Sequence, residues 1–450
     1  MVNVVTGLTK YALILFLAIY TLLGFRMAGK SEEEKEAALW QQNILFFGMH
    51  FLGNLVLYLN TKGESLITFY AVQLGLFSLF LILHHLIYPK ADKTLNHNLL
   101  LLLSVGLLML ARLSPEKAER QLEVAILAMG LTFLIPWIIR KAGKLRDLYW
   151  IYGAVGFFLL VAVLVLGSLS FGAKLAITIH GITFQPSEFV KILFVFFTAG
   201  MLKEDHSLKR VAVTTGIAAA YVLVLVGSKD LGGALIFFVT YLVMLYVATG
   251  QILYFFAGLI AGSAAAWAAC GIFAHVRARV LAWSDPFSVI ENEGYQITQS
   301  LFAIGTGGWF GSGIGQGMPY KIPVVEEDFI FSAISEELGV LFAVLLIFVY
   351  ISCFYMIINI AVCLQDSYYK LVALGLGTVL MFQVFLSIGG AVKFIPSTGV
   401  TLPFISYGGS SLLTSFMMWA IIQGMYLKRG DEVVENDSKD NKEKAKKEKQ

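Results

Sequence analysis

"QLEVAILAMGLTFLIPWIIRKAGKLRD", residues 121–147, decides the fold class. Residues 121–139 carry one ionisable side chain, Glu123, and Arg140, Lys141, Lys144 and Arg146 follow at once. A run of about 20 apolar residues is long enough to cross the hydrocarbon core as an α-helix. A cluster of Lys and Arg in a short following loop marks the cytoplasmic end of such a helix.

The rest of the chain repeats this pattern. Of its 450 residues 58% are hydrophobic and 14% charged, and the mean hydropathy is +0.77. Soluble domains carry about 25% charged residues, so the composition is that of an integral membrane protein. The net charge of +3 is too small to argue for nucleic acid as a partner. Cys270, Cys353 and Cys363 lie far apart in apolar runs and read as packing residues, and the seven histidines have no metal-ligand spacing. The N-terminal apolar run ends at "GFRMAGK" without a small-residue cleavage site and reads as a first transmembrane helix, not a removable signal.

Counting apolar spans predicts an all-α, polytopic transmembrane helical bundle. About thirteen helices fall near 11–28, 41–60, 65–88, 98–113, 121–139, 148–170, 187–202, 209–227, 231–248, 251–273, 329–362, 370–392 and 404–427. With the 139–147 loop in the cytoplasm, "LKEDHSLKR" (202–210) and everything after Lys428 share that side. The odd number of spans then puts the N-terminus outside, together with Arg112, Lys117 and Arg120. Residues 429–450 alternate acids and lysines with almost no apolar side chains, the composition of a disordered tail.

A long extracytoplasmic loop is expected at about 274–328. Loops much beyond about 12–15 residues are usually functional or disordered, and "GYQITQSLFAIGTGGWFGSGIGQG" (294–317) is too apolar for disorder. Ile297, Leu301 and Ile304 share one helical face and Gln296, Gln299 and Ser300 another, as in an interfacial or re-entrant segment. The glycines from Gly305 to Gly317 satisfy neither G-x-G-x-x-G nor a P-loop.

Five stretches carry candidate chemistry. In "IPVVEEDFIFSAISEELG" (322–339), Asp328, Ser332, Ser335 and Glu336 fall on one helical face while Glu337 points away. An ionisable group at the mouth of a membrane helix suggests function; as an N-cap, Asp328 would also suit the helix dipole. In "FQPSEFVKI" (184–192), Ser187, Glu188 and Lys191 share a face, either as an ion pair holding the bundle or as a cation lining an anionic-substrate cavity. Arg277 and Arg279 of "HVRARVLAWSDPF" (275–287) either anchor at the interface or bind phosphate through bidentate hydrogen bonds. "STGVTLPFISYGGSS" (397–411) offers small and hydroxylated residues for close packing or a polar cavity.

Taken together and in order, these stretches resemble the SEDS family (RodA, FtsW and SpoVE). The landmarks are "GLLMLARLSPEKAERQL" (106–122), "FQPSEFVKI", "KDLGGAL" (229–235), "RARVLAWSDPF", the 294–317 segment, "EDFIFSAISEELG" and "PSTGVTLPFISYGGSS". The resemblance covers about residues 95–428. It divides the chain into three extra N-terminal spans (1–94), a transmembrane glycosyltransferase domain (95–428) and the charged tail. It implies a peptidoglycan glycosyltransferase that polymerises lipid II beside a class B penicillin-binding protein in the bacterial plasma membrane. The family's essential acid maps to Asp328, a general base or the holder of a divalent cation (Mg or Mn); no tightly bound cofactor is implied. Lys191, Arg277, Arg279, Lys174 and Lys393 are the cations that could meet a departing diphosphate, with Glu188 and Glu336 further substrate-side candidates. Glu326 and Glu327 stand where the family commonly has His and Thr, Lys174 where Arg is common, Ser387 where Asn is, and Lys393 where Gly is. Outside that resemblance, a lipid flippase built on Glu188–Lys191 or a non-enzymatic scaffold would also suit a helical bundle.

Overall fold

In a bilayer the backbone must satisfy its own hydrogen bonds, so apolar runs fold as helices. The computed structural model describes residues 2–27, 32–141, 145–170, 173–179 and 182–447, with the backbone alone for the strand residues between 168 and 183 and beyond residue 430. The chain begins with α1 (Val2–Arg26), α2 (Glu32–Thr61), α3 (Ser65–Ile87), α4 (Lys93–Leu113) and α5 (Pro115–Lys141), then α6 (Tyr149–Leu166). After a small sheet come α7 (Pro186–Leu202), α8 (Leu208–Gly227), α9 (Leu231–Thr249) and α10 (Ile252–Ile272). The outer segment folds as α11 (Ala274–Ser284), α12 (Tyr295–Gly307) and α13 (Ile330–Leu338), and the chain ends with α14 (Val340–Cys363), α15 (Ser367–Ala391) and α16 (Gly409–Lys447).

Eleven of these helices, α1–α6, α8–α10, α14 and α15, are long and apolar enough to cross a membrane. The count of thirteen expected from sequence also needs α7, which has 17 residues, and the apolar start of α16. The core is built round α4, in which every residue from Thr94 to Ala111 is buried. A helix apolar all round must be enclosed, and α2, α3, α5 and α14 enclose it. The three N-terminal helices are therefore a wall of the same bundle. By contrast α10 has no buried residue and shows Leu253, Ile260 and Trp267 on its surface, a face for lipid.

Polar contacts collect at the two ends of the bundle. At one end Arg146 pairs with Asp366 at 3.4 Å and Asp147 with Lys203 at 3.6 Å, which joins the loops after α5, α7 and α14. At the other end Arg112 meets Glu337 at 3.1 Å, and Lys117 meets Glu326 and Glu327 at 3.5 and 3.4 Å.

Four expectations need correction. The run at 329–362 is two helices, not one. Gly339 breaks it with φ 92° and ψ 158°, a conformation natural to glycine alone, and a Cβ there would lie 2.5 Å from the Gly311 nitrogen. Between α6 and α7 a three-stranded antiparallel sheet interrupts the all-α pattern: β1 (Ser168–Ser170), β2 (Ala173–Ile179) and β3 (Ile182–Phe184), in the order β1-β2-β3. The segment is rich in β-branched residues, as in "AITIHGITF" (176–184), which favour strands. On α12, Ser300 is fully buried with Ile297 and not turned outward with Gln296. Its hydroxyl meets Ser332 and donates to the Ala391 carbonyl at 2.7 Å, so a hydrogen-bonding partner decides its face. Finally, the tail is helical to Lys447.

Candidate active site

Asp328 lies at the end of a turn that the rest of the outer segment holds on two sides. Its N–H donates to the Val324 carbonyl at 3.3 Å, and Val324 has a left-handed φ of 57°. Phe329, 1% exposed, plugs the core just after it. On the far side the loop after α15 grips the backbone: Tyr407 N–H donates to the Glu326 carbonyl at 2.8 Å, and the Ser406 hydroxyl donates to the Glu327 carbonyl. Gln121 on α5 in turn donates to the Ser406 carbonyl at 3.0 Å.

Asp328 does not cap α13. Phe329 occupies the capping position and makes no side-chain cap bond. The carboxylate instead faces Gly399 and Arg279. A Cβ on Gly399 would lie 3.7 Å from Asp328 Oδ2 and 3.9 Å from Arg279 Nη2, and Gly399 has a φ of 71°. A Cβ would sit there in ordinary contact, so it is the left-handed φ that calls for glycine where acid and guanidinium flank the chain. Arg279 is oriented by a 3.1 Å bond to the Ser397 carbonyl.

Burial pushes the Asp328 carboxyl up to about 6, the negative charge of Glu327 adds to the rise, and Arg279 opposes it. A carboxyl tuned close to neutral pH suits proton abstraction. Glu326 and Glu327 are drawn towards Lys117, whose ammonium also sits 5.1 Å from the centre of the Tyr407 ring. Lys117 thus offsets part of the charge of these two acids and leaves net negative charge beside Asp328.

The other sequence candidates do not all converge on Asp328. Arg277, two residues from Arg279, lies on the other side of α11, exposed, and donates to the Gly271 carbonyl at 3.0 Å. Lys393 follows α15 in a left-handed turn (φ 60°), and its carbonyl accepts from Trp283 of α11 at 3.2 Å, which brings this lysine to the Arg279 helix. Lys174 sits in β2 opposite Leu169, and its side chain lies outside the described residues. Glu336 is buried, and its Oε1 accepts from the Met318 N–H at 2.8 Å. It braces the glycine-rich loop before α13. Ser335 returns its hydroxyl to the Phe331 carbonyl.

Glu188 and Lys191 form a buried pair at 2.8 Å. Lys191, 3% exposed, also donates to Gln383 at 3.0 Å, and Thr414 donates to Glu188 at 3.1 Å. The pair ties α7 to α15 and α16 and is internally satisfied, so its geometry is that of a brace.

Several residues that matter were not singled out from sequence. Asp230 caps α9, accepting from the Gly233 N–H at 2.7 Å, and burial holds its carboxyl above the usual range. It interacts electrostatically with Glu188 and Lys191 on one side and with Arg279 on the other, so it links brace and site. The signal was Asp one residue before the helix in "KDLGGAL". Arg112 and Glu337 form the second hidden element: Glu337 also accepts from the Gly315 N–H at 3.0 Å, and Arg112 reaches the Gly317 carbonyl. No spacing rule connects residues so far apart in sequence.

Among the described residues no group of three or more His, Cys, Asp or Glu could hold a metal. With Glu326 and Glu327 committed to Lys117, the donor set at Asp328 does not fit a metal held by protein alone.

The FtsW/RodA/SpoVE family model, described as "Cell cycle protein", matches residues 93–429. The peptidoglycan glycosyltransferase RodA of Mycobacterium tuberculosis is 34% identical over 363 residues, 74% of this chain and 77% of that protein. Stage V sporulation protein E of Bacillus subtilis is 33% identical over 348 residues, 72% of this chain and 93% of its own. Among solved structures, a chain from work on "structural coordination of polymerization and crosslinking by a peptidoglycan synthase complex" matches with TM-score 0.66 and 25% identity, over 75% of this chain and 98% of that one. The Thermus thermophilus rod shape determining protein RodA shares the fold at TM-score 0.56 and 23% identity, over 75% and 97%. The match begins at the first residue of α4, and the chain belongs to the FtsW/RodA/SpoVE family.

Proposed function

We propose that this multi-pass membrane protein is a peptidoglycan glycosyltransferase that polymerises lipid II and releases undecaprenyl diphosphate, with Asp328 as the general base. The observation that carries this reading is a carboxyl tuned to about 6 and set beside Arg279 across Gly399. The sugar C4 hydroxyl of one lipid II attacks the anomeric carbon of the growing chain. Its proton passes to Asp328 while the anomeric carbon develops oxocarbenium character. The diphosphate oxygen takes the electron pair of the breaking bond, and Arg279 and Lys393 supply the positive charge that stabilises it.

The site faces outwards and the tail lies in the cytoplasm; the support is the basic loop 139–147 and the grouping of the 146, 203 and 366 side chains at the end away from Asp328. The likeness to a chain from a peptidoglycan synthase complex supports a class B penicillin-binding protein as partner. The test is lipid II polymerisation by the purified protein with that partner, wild type beside Asp328→Asn. Loss of glycan strands in the variant is expected.

A further inference from the structure

At the end of the bundle opposite Asp328, a cavity of about 360 Å³ opens between α2 and α3, which precede the segment shared with the family, and the start of α4, which begins it. Its polar lining has a fixed hydrogen-bond polarity that starts on α16. Gln423 donates to the Asp92 carbonyl at 2.8 Å and accepts from the Asp92 N–H at 3.1 Å, so its amide can point only one way. Its Nε2 also donates to Asn96 Oδ1 at 2.8 Å, which turns the Asn96 Nδ2 towards His84 Nδ1, again at 2.8 Å. A neutral imidazole that accepts at Nδ1 carries its hydrogen on Nε2.

His84, 2% exposed, therefore presents a donor to the cavity, and its Nε2 has no partner among the described residues. Asn43, on the same lining, leaves its Oδ1 buried and equally unpartnered. Buried polar atoms are almost always paired. His97 Nδ1, on the same lining, is also unpartnered among the described residues. A hydroxyl group has the chemistry to serve the first two, accepting from His84 and donating to Asn43.

The mouth adds charge and a membrane setting. Lys93 lines it, 3.4 Å from Glu36 in a solvent-exposed pair, a weak contact that a phosphate can replace. Trp40 and Tyr88 line it too, residue types that favour the headgroup layer. Around them Ile44, Ile82 and Leu86 turn outward. The volume exceeds what one or two waters need, since each takes about 30 Å³.

We propose that this cavity binds the headgroup of a hydroxyl-bearing anionic phospholipid from the leaflet opposite the active site, with the phosphate at Lys93 and a headgroup hydroxyl between His84 and Asn43. The relay through Asn96 and Gln423 joins the bound headgroup to α16 and so fastens the three N-terminal helices to the family domain.

The experiment is native mass spectrometry of the full-length protein in neutral detergent, titrated with phosphatidylglycerol, phosphatidylethanolamine and phosphatidic acid of the same acyl chains. Phosphatidylglycerol is expected to bind about 10-fold more tightly than either, one such ratio being a single good interaction. His84→Phe and Asn43→Leu should each erase that preference, and Leu81→Trp, which fills the cavity without touching the relay, should do the same if His84→Phe fails to fold. Equal binding of phosphatidic acid would overturn hydroxyl recognition. Displacement of the lipid by an equal concentration of soluble glycerol 1-phosphate would assign the site to a soluble polyol phosphate and overturn the lipid source. Variants indistinguishable from wild type would mean that water alone fills the cavity, and would sink the proposal.

Discussion

Replacing Asp328 with Asn should separate catalysis from stability in opposite directions. The amide keeps the shape of the carboxyl but cannot take a proton, and loss of a general base typically costs about 10²–10⁴-fold in rate. Stability should move the other way. The folded protein holds this carboxyl at about 6 against an ordinary 3.8, chiefly because the charged form is buried. At about 1.36 kcal/mol per pH unit, ionised Asp328 then costs the fold about 3 kcal/mol at pH 8. Since the folded pKa is raised, that cost is present above 6, falls as pH drops through 6, and vanishes below the unfolded value near 4. Asp328→Asn should therefore melt at a higher temperature than wild type at pH 8 and level with it at pH 4. The assays are lipid II polymerisation with the partner protein and thermal unfolding of both forms across pH 4–8 in one detergent. Near-normal polymerisation by the Asn variant would remove Asp328 as the base. A variant less stable than wild type at pH 8 would show that Arg279, not burial, dominates its environment.

Other predictions follow from the same geometry. Wild-type polymerisation should fall as pH drops through about 6, and Glu327→Gln should move that acid limb to lower pH because it removes a charge that raises Asp328; an unmoved limb in the pH–rate profile would contradict this. Gly399→Ala forces an alanine into a left-handed φ of 71°, a strain of about 1–2 kcal/mol that shifts the loop lying between Asp328 and Arg279; polymerisation should drop more than stability, as turnover and melting of the same preparation would show. Lys191→Ala orphans a buried Glu188 and should cost about 3–5 kcal/mol, whereas Lys191→Met with Glu188→Leu should restore stability and retain polymerisation. A stable but inactive double variant would move the pair from brace to substrate contact. A cysteine at position 145 should resist membrane-impermeant thiol reagents in intact cells, and labelling there would reverse the orientation.

The membrane class and the order of helices were legible in the sequence, and Asp328 could be singled out there as a candidate, because each depends on local chemistry. Twenty apolar residues can only be a span wherever they sit, and "EDFIFSAISEELG" marks Asp328 through residues next to it. What tertiary structure decided were the relations between distant side chains. Helical spacing grouped Glu336 with Asp328, but α13 starts only at Ile330, so Asp328 lies outside the helix and Glu336 accepts from Met318 instead. Arg277 and Arg279 looked equivalent as two arginines in one loop; a rotation of two helical positions gives one to solvent and the other to Asp328. Lys117 and Glu327 lie 210 residues apart, as do many such pairs, and only packing shows that they meet. Charge and polarity act over a few ångströms of space, not along the chain. A sequence thus carries which groups are present and which are costly to bury, while the fold alone decides which of them meet, as Lys117 meets Glu327 and Arg279 faces Asp328.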